Sequence, residues 1–476
     1  MRLFEVILLI VCTVFPFLYL FNFSSRNKLT GLSIISVLFI MHVFLEGLRW
    51  QMISGYLIAL VIIIFLLGKI RFQAKGKLAV TLTLFFLIIS LGIGWTIPII
   101  FPVFKLPTPS GEYKVGSQYL KIMSDHLEVI TEDPEDKRAI MVKVWYPSVV
   151  VNEEKESYLN QGNRLGFSSK YGLPESITHY LDYVETNTYQ KPQIAEEKFP
   201  ILIFSHGSNA EAFGYYALME EIVSHGYIIF NINHTYESSG SLFPDGEIKL
   251  YDKAFDQKTN TEIMGEMAWN AIQEYEKANN EYDQLLAVED LIRNYVAAEI
   301  SLRWSKDISE VIDRLAQWNE TSFLSGHLDL SKVGVFGHSQ GGSAVGQAML
   351  DDDRIMAGIN LDGVQWGVMI DTTIQKPFLL VSSDWDQEHL NLNKFAYRNL
   401  DNFNSIVIRD AGHSNFMDIP LLVNFSLINE AGKINPYRAY QITSELILDF
   451  FDKSLKGRSE NLIDYANTYQ EVEIAD

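Results

Sequence analysis

The sequence predicts an α/β protein with a mostly parallel β-sheet covered by helices on both faces, preceded by an all-α transmembrane domain of about four helices. Two observations predict this architecture. Residues 1–104 contain long charge-free stretches, whereas from residue 105 short apolar runs alternate with helical patterns. The charge also changes there: residues 1–104 carry a net charge of +6, and the other 372 residues of the 476-residue chain carry −27. We therefore predict two domains, 1–104 and 105–476.

The first domain is predicted from four charge-free stretches, 6–25, 29–45, 50–68 and 78–104. A helix needs about 20 residues, with a range of roughly 17–25, to cross the hydrocarbon core of a bilayer. The first, third and fourth stretches meet this length. The second is the shortest and contains His42. Because four such stretches fall within 104 residues, we interpret them as membrane spans rather than buried helices of a soluble protein.

The orientation of the spans is predicted from the basic residues of the short loops, because cytoplasmic loops carry an excess of Lys and Arg. With four spans, the first and third loops lie on one side and hold six Lys or Arg. The other side holds three, at Arg2, Arg49 and Lys105. This distribution favours cytoplasmic first and third loops. The domain 105–476 would then be extracytoplasmic, on an integral protein of a bacterial plasma membrane.

The second domain shows the alternation expected of a mainly parallel sheet. Two early strand-like segments, 119–123 and 140–146, suggest an antiparallel edge. Later apolar runs predict buried strands, and the segments between them predict helices. The strands are expected at 200–204, 227–232, 333–336, 356–361, 377–381 and 406–408, and the helices at 217–225, 308–318, 341–350 and 436–455. Residues 237–300 are too polar for a core and predict a partly helical excursion.

Composition and motifs argue against several classes of protein. A net charge of −21 is unfavourable for binding phosphate backbones, so nucleic acid is not an expected partner. The only cysteine, Cys12, lies in the apolar part, which excludes an intrachain disulfide and a cysteine nucleophile in the second domain. The sequence has no metalloprotease, calcium-loop or nucleotide-binding motif, so we expect neither a metal nor a cofactor.

The sharpest motif is the segment Gly337-His-Ser-Gln-Gly-Gly342. The apolar run 333–336 leads into it, and a helix of small residues follows. A serine on a tight strand-to-helix turn needs small neighbours two residues before and after it, because larger side chains would collide. Ser339 is therefore predicted to be a catalytic nucleophile, on a nucleophile elbow.

A serine hydroxyl needs a base to remove its proton, and the second domain contains nine histidines. His413 is favoured because it follows the last predicted strand, 406–408, in a small polar loop. The carboxyl ends of parallel strands are where such sheets place their active sites. The candidates for the acid that would orient His413 are Asp362, which ends one strand, and Asp384 or Asp386, which follow the next. The spacing does not separate these alternatives.

The oxyanion of an acyl-transfer reaction needs N–H donors that are already in place. One is predicted to be the backbone N–H of Gln340, which follows the nucleophile. The other is expected from the segment Phe204-Ser-His-Gly-Ser208, which follows the strand 200–204. Gly207 would let the backbone turn its amide towards the site.

Taken together, these motifs resemble the platelet-activating factor acetylhydrolase family, of the plasma or isoform II type, within the α/β hydrolases. The resemblance covers roughly 110–455. It rests on 337–342 and 204–207, together with Val144-Trp-Tyr-Pro147, Leu361-Asp-Gly363 and the run 306–313. It implies an α/β-hydrolase fold with Ser339, Asp362 and His413 as the triad, and with Ser208 and Gln340 as oxyanion donors. The sequence departs from the family at Gln340, at 237–300 and in its four spans.

The sequence therefore predicts a membrane-anchored serine ester hydrolase that degrades a lipid or other small ester, and the resemblance implies short-acyl phospholipids as substrates. One rival within this class is a general short-chain esterase, a lipase or a polyesterase. A rival from another class is a membrane sensor whose hydrolase domain only binds. The intact Ser339, Asp362 and His413 favour the enzyme.

Overall fold

The computed structural model describes residues 1–20, 25–68, 77–208, 213–259, 261–384, 392–458 and 468–475. The chain divides into two compact units. The first comprises Met1–Lys105, Ser176–Val184 and Leu421–Asn429, and the second comprises Leu106–Glu175, Glu185–Pro420 and Glu430–Asp476. Two short segments from beyond residue 105 therefore belong to the first unit. They were not predicted from the sequence, since neither is as apolar as the predicted spans.

The first unit is built from four helices, α1 Leu3–Leu20, α2 Ser25–Leu45, α3 Ile53–Leu66 and α4 Lys77–Ile100. A 3₁₀ turn, Trp50–Met52, precedes α3, and the α4 helix ends before residues 101–104. Within the part of the chain that the structure describes, two segments are long and apolar enough to cross a membrane, Lys28–Leu45 and Thr81–Ile100, whereas Leu3–Pro16 and Trp50–Leu66 are shorter apolar helices. The second predicted span therefore passes the length test, and the first and third fall below it.

The four helices bury a small apolar core and expose an apolar exterior. Side chains of α1 and α3 supply most of the core, including Leu8, Cys12 and Ile62. On the outside, Phe44 is 82 % exposed, and many other large apolar side chains of these helices are also exposed. Water-soluble monomers rarely expose apolar surface of this extent.

An ion-pair cluster joins the ends of all four helices. The carboxylate of Glu5 in α1 accepts hydrogen bonds from Arg49, which precedes α3, at 2.6 and 2.9 Å, and from Arg2 at 2.8 and 3.0 Å. Arg49 also donates to the carbonyl oxygen of Phe101, just beyond α4. In α2, His42 lies 2.9 Å from Glu46, which accepts from the N–H of Phe4. Because Glu5 and Arg49 are buried, their mutual pairing is what makes their burial tolerable.

The second unit is organised around one sheet, which has twelve strands among the described residues. Its order is β14-β13-β12-β11-β10-β6-β7-β2-β1-β4-β3, with β5 paired to β2. The six strands from β13 to β7 are parallel, and β2 runs antiparallel to β7 and β1, as the early alternating segments predicted. The strands are β1 Lys114–Leu127, β2 Lys137–Val149, β3 Lys155–Ser157, β4 Glu185–Gln190, β5 Gln193–Ile194, β6 Phe199–Ser205, β7 Ile228–Asn233, β10 Leu328–His338, β11 Ala357–Leu361, β12 Phe378–Ser383, β13 Phe403–Ile408 and β14 Val472–Ala475.

Helices cover both faces of this sheet. Along β10, Val333 and Val335 belong to the same apolar core as Ile308 and Val311 of α10, whereas the ring of Phe336 packs on Phe451 of α15. Successive residues of a strand point to opposite faces, so α10 and α15 lie on opposite sides. The helices are α5 Gln161–Tyr171, α6 Tyr216–Ser224, α7 Lys253–Thr259, α8 Glu262–Lys277, α9 Glu281–Asn294, α10 Val296–Thr321, α11 Gln340–Asp351, α12 Leu392–Ala396, α13 Ile419–Leu422, α14 Ser426–Asn429 and α15 Pro436–Lys456.

The polar region 237–300 forms a hairpin and three helices. The hairpin pairs β8 Gly240–Leu242 with β9 Ile248–Leu250, and α7, α8 and α9 follow. Val288, Leu291 and Ile292 of α9 are buried in a separate apolar cluster, against which Trp366 packs. The region 237–300 therefore packs on the segment that follows β11. The long helix α10 begins at Val296, within the last residues of this region.

Candidate active site

Ser339 lies at the turn between β10 and α11, at the carboxyl end of the central strand. Its backbone has φ 55° and ψ −121°, a conformation that non-glycine residues rarely adopt. Its N–H donates to the carbonyl oxygen of Leu361 at 2.8 Å, which joins the turn to the end of β11. The strained serine on a strand-to-helix turn is the local geometry that the sequence predicted.

Three glycines make this turn possible because neighbouring backbone or side-chain atoms occupy the space of their missing side chains. A Cβ at Gly337 would overlap the backbone of Gly341. A Cβ at Gly341 would overlap the carbonyl oxygens of Ser205 and His206, and one at Gly342 would overlap the side chain of Asn360. The motif is therefore glycine-rich for steric reasons, and it lets α11 start directly against the end of β6.

Asp362 and His413 are brought together by the ends of β11 and β13. The Nδ1 atom of His413 lies 2.6 Å from Oδ2 of Asp362. The same carboxylate accepts hydrogen bonds from the N–H of Ser383 at 2.7 Å and from its hydroxyl at 2.8 Å. Asp362 is 6 % exposed, so these bonds hold a buried carboxylate in one orientation. With Nδ1–H donating to Asp362, the Nε2 atom of His413 is left as the basic nitrogen.

Asp384, the first alternative acid, is hydrogen-bonded to Arg409 and to the backbone of Asp410. It accepts a hydrogen bond of 2.8 Å from Arg409 and one of 3.0 Å from the N–H of Asp410. Partial burial opposes its ionisation, but these two partners outweigh that effect and lower the pKa of Asp384. Asp386, the other alternative acid, lies outside the described residues.

The loop that carries His413 is held from several sides. His413–Phe416 forms a 3₁₀ turn, and the side-chain oxygen of Asn415 accepts from the N–H groups of Gly412 and Gly432 at 2.8 and 2.9 Å. Asp418 accepts from the first N–H groups of α6, those of Tyr216 and Ala217. The loop is thus held by bonds to the segment that precedes α15 and to the start of α6.

His338, the residue before the nucleophile, links this loop to the end of β6. Its Nε2 lies 3.1 Å from the carbonyl oxygen of His413, and its Nδ1 lies 3.0 Å from the hydroxyl of Tyr215. Burial, followed by the neighbouring His413, lowers the pKa of His338 well below the ordinary value. The neutral ring then donates from Nε2 to His413 and accepts at Nδ1 from Tyr215, whose oxygen accepts from the N–H of Gly207 at 3.1 Å.

The two expected oxyanion donors lie in different settings. The side chain of Gln340 donates to the carbonyl oxygen of Ala297 at 2.8 Å and to the hydroxyl of Ser301 at 2.7 Å. It therefore joins α11 to α10, and only its backbone is relevant to an oxyanion. Ser208 is exposed. The preceding residue, Gly207, lies close to the nucleophile, because a Cβ added at Gly207 would be 3.2 Å from Cβ of Ser339.

The other histidines of residues 105–476 separate into two groups. His206 and His234 are fully buried near the end of β6 and are hydrogen-bonded there. The others of this range that the structure describes lie on or near the surface, and they are His126, His179, His225 and His327. His389 lies outside the described residues. Within the described ranges no group of three or more His, Cys, Asp or Glu side chains could hold a metal ion.

Several residues of the site were not predicted from the sequence. Ser383 orients Asp362, Tyr215 and His338 bridge two loops, and Asp418 anchors the histidine loop. Ser383 follows a strand that the sequence predicted next to the acid, which is a signal for such a role. Asp418 follows His413 by five residues, whereas Tyr215 becomes a neighbour of the site only through tertiary packing.

Similarity to known proteins covers most of the chain. The family model "Platelet-activating factor acetylhydrolase, isoform II" matches residues 99–471. A platelet-activating factor acetylhydrolase of Canis lupus familiaris is 24 % identical over 401 residues, with 76 % of this chain and 83 % of that protein covered. One from Cavia porcellus is 26 % identical, covering 75 % and 83 %. A solved ferulic acid esterase from Streptomyces cinnamoneus superposes with a TM-score of 0.60 at 22 % identity, covering 79 % of this chain and all of that one.

Proposed function

The chain belongs to the platelet-activating factor acetylhydrolase isoform II family of ester hydrolases, and from this membership we propose that it is a membrane-anchored serine esterase. Ser339, His413 and Asp362 are its triad. The observation that carries the proposal is the 2.6 Å contact between His413 Nδ1 and Asp362 Oδ2, beside a serine on a strained elbow. A buried acid, an oriented histidine and a serine on a tight turn are the parts of a site that activates a weak nucleophile.

The reaction follows from these roles. His413 Nε2 takes the proton of the Ser339 hydroxyl as the oxygen attacks the ester carbonyl, and Asp362 stabilises the imidazolium that forms. The backbone N–H groups of Gln340 and Ser208 bind the oxyanion. His413 then protonates the departing alcohol. Water, activated by the same base, hydrolyses the acyl-enzyme and regenerates Ser339.

We propose that α1–α4 anchor the enzyme in a membrane. Two of these helices are long enough to span a bilayer, and the unit exposes large apolar side chains around a small core. Arg2 and Arg49 face the predicted outer side, and both are paired with Glu5. Of the six basic residues of the predicted first and third loops, Arg26 and Lys28 lie in the first turn of α2, Lys77 begins α4, and Lys69, Arg71 and Lys75 lie outside the described residues. Their excess on one side favours a cytoplasmic position for that side, which makes the hydrolase unit extracytoplasmic.

The substrate proposed first is a short-acyl phospholipid, by analogy with relatives named platelet-activating factor acetylhydrolase and with a fungal relative named "Probable 1-alkyl-2-acetylglycerophosphocholine esterase". The rival is another short-chain ester, in line with the ferulic acid esterase that shares the fold. A series of esters with graded acyl length, assayed beside a short-acyl phosphatidylcholine, separates the two. Preference for simple esters over the phospholipid would favour the rival.

The test of catalysis itself is Ser339→Ala in the full chain. A triad without its nucleophile loses several orders of magnitude in rate. The variant should therefore turn over esters at less than ~10 % of the parent rate and should not react with a fluorophosphonate probe. A parent protein that binds esters but neither hydrolyses them nor reacts with the probe would indicate a sensor instead.

A further inference from the structure

A second Ser-His-Asp constellation lies behind the candidate active site. The Nε2 atom of His234 lies 2.9 Å from the hydroxyl of Ser205, and its Nδ1 lies 2.7 Å from Oδ2 of Asp307. These atoms come from the ends of β6 and β7 and from α10. Ser205 and His234 are 0 % exposed and Asp307 is 2 % exposed. No ester can reach this serine, so the constellation needs a role other than hydrolysis.

The surroundings make His234 rigid. Arg138 of β2 donates to both carboxylate oxygens of Asp307, at 2.6 and 2.7 Å, and also pairs with Glu128 at 3.0 Å. The His234 ring stacks on Trp304, with ring centres 4.0 Å apart and planes inclined by 8°. Four elements of the fold are thereby joined at one imidazole, which cannot rotate without breaking several bonds at once.

His234 in turn orients His206. The backbone N–H of His234 donates to Nε2 of His206 at 3.2 Å. A ring nitrogen that accepts cannot carry the proton, so the proton of neutral His206 is on Nδ1. That Nδ1 lies 2.8 Å from the carbonyl oxygen of Gly207 and donates to it.

The hydrogen bond to Gly207 also determines the direction of the next amide. The carbonyl of Gly207 and the N–H of Ser208 belong to one planar peptide group, and in a trans peptide they point in opposite directions. No cis peptide occurs in the described ranges. Fixing the carbonyl on the buried side therefore turns the N–H of Ser208 to the opposite side of the peptide. This peptide lies close to the nucleophile, since a Cβ added at Gly207 would be 3.2 Å from Cβ of Ser339.

We propose that His206 is a positioning residue that aims the Ser208 N–H at the oxyanion, and that Ser205, His234 and Asp307 hold His206 in the orientation this requires. The proposal rests on the function proposed above and deepens it. Burial, followed by the adjacent His234, lowers the pKa of His206 to about 3, so the ring remains neutral and keeps its single donor at ordinary pH.

Two substitutions of His206 separate positioning from simple packing. An Asn side chain places its amide near the position of Nδ1, whereas a Gln side chain places it near Nε2. His206→Asn can therefore still donate to Gly207, and His206→Gln cannot. We expect kcat of the full chain to stay within about tenfold of the parent for His206→Asn and to fall ~10²–10³-fold for His206→Gln, the cost of one oxyanion donor.

The substitution His206→Gln should weaken binding of the transition state and not binding of the substrate. In His206→Gln, KM for the ester should change little, and the affinity for a trifluoromethyl ketone, which forms an oxyanion on Ser339, should weaken by the same factor as kcat. Equal losses for both substitutions, or a loss expressed only in KM, would overturn the proposal. His126→Gln, at an exposed histidine, is the matched control and should retain the parent kcat.

Failure of this proposal is distinguishable from failure of the proposed function. If Ser339→Ala is inactive but His206→Gln matches the parent, only the positioning role is wrong. If Ser339→Ala remains active, or becomes labelled at Ser205 by a fluorophosphonate, both are wrong. Should His206→Gln fail to fold, His206→Asn decides alone: a kcat within tenfold supports the role, and a 10²-fold fall at unchanged Tm overturns it.

Discussion

Asp362 and Asp384 follow neighbouring parallel strands, and their hydrogen-bond partners distinguish two carboxylates that are alike in the sequence. Asp362 is buried and contacts His413, whereas Asp384 is paired with Arg409 near the edge strand β14. Chain order allows either to serve as the acid. Only the path of the loop 409–413 decides which one the histidine meets, and that path depends on tertiary packing.

We expect Asp362→Asn to lower kcat by about 10⁴, because an amide stabilises the wrong histidine tautomer and no imidazolium. Asp384→Asn should change kcat by less than about tenfold, since it removes a surface ion pair. Steady-state kinetics of both variants on one ester makes the comparison. The reverse ranking would show that the acid follows β12 and that Asp362 has a structural role.

A second prediction concerns the space around Gly341. The methyl group of Gly341→Ala would overlap the carbonyl oxygens of Ser205 and His206, so we expect a loss of about 1–3 kcal/mol in stability together with lost activity. Gly265→Ala, in the exposed part of α8 where nothing lies within 4 Å, should leave stability unchanged or raise it by up to about 1 kcal/mol. Thermal unfolding of the two variants tests this, and equal Tm changes would contradict it.

The candidate site could be predicted from the sequence where the local chain determines the geometry. The elbow at Ser339 is such a case, because glycine spacing and a preceding apolar strand are both visible in the sequence. Most supporting groups around it could not be predicted: Tyr215 and Asp307 lie far from Ser339 along the chain. A buried hydrogen-bond network of this kind leaves no periodic pattern.

Two buried carboxyl groups, one in helix α6 and one on the loop that caps its first turn, make the stability of this region depend on pH. Burial raises the pKa of Glu220 in the helix to about 7, despite hydrogen bonds from Asn187 and Thr188, and raises that of Asp418 at its start to about 6. Each folded-state pKa lies above its ordinary value of 4.5 or 3.8. The folded state therefore binds the extra proton, and stability contributed by these groups is lost as pH rises.

The stability contributed by Glu220 is lost between about pH 4.5, its ordinary pKa, and about pH 7, its pKa in the folded protein. We expect the parent Tm to fall across this window and the fall to be shallower in Glu220→Gln, which cannot ionise. The two proteins are compared by the slope of Tm against pH and not by Tm itself, because the substitution also alters a hydrogen bond at every pH. Parallel Tm curves for the two proteins between pH 4.5 and 7 would contradict the role of Glu220.

At the scale of elements, buried strands and amphipathic helices were predicted more completely than edges. Every strand from β6 to β13 in the parallel block was anticipated, because an apolar run bounded by turn residues is specific for a buried strand. The short polar strands β3, β4 and β14 were not, since an edge strand owes its conformation to its neighbour. Likewise α10 extends twelve residues further towards the N-terminus than its apolar face predicted, beginning at Val296.

For the molecule as a whole, the proposed topology is tested on intact cells. If the second unit is extracytoplasmic, protease added outside should cut within the exposed helices of the 237–300 region. A cytoplasmic marker protein should remain intact in the same sample. Cleavage seen only after the membrane is permeabilised would show that the orientation is inverted and that the basic loops were misread.

The charge of the second domain predicts a preference among substrates. Residues 105–476 carry a net charge of −27, which repels anionic headgroups over a Debye length of ~8 Å at physiological salt. Zwitterionic or neutral esters should therefore have a higher kcat/KM than anionic esters of equal acyl length. The difference should shrink as salt is raised, and a difference independent of salt would point to contacts in the site.

The burial of Cys12 makes the protein suitable for labelling at an introduced cysteine. Cys12 is the only thiol in the chain, and it lies 0 % exposed within the core of the four-helix unit. Thiol-directed reagents modify accessible thiolates, so the native protein should remain largely unmodified by maleimides. A cysteine introduced at a chosen surface position would then be the single addressable group, and a fluorophore or spin label could be attached there without first engineering a cysteine-free background.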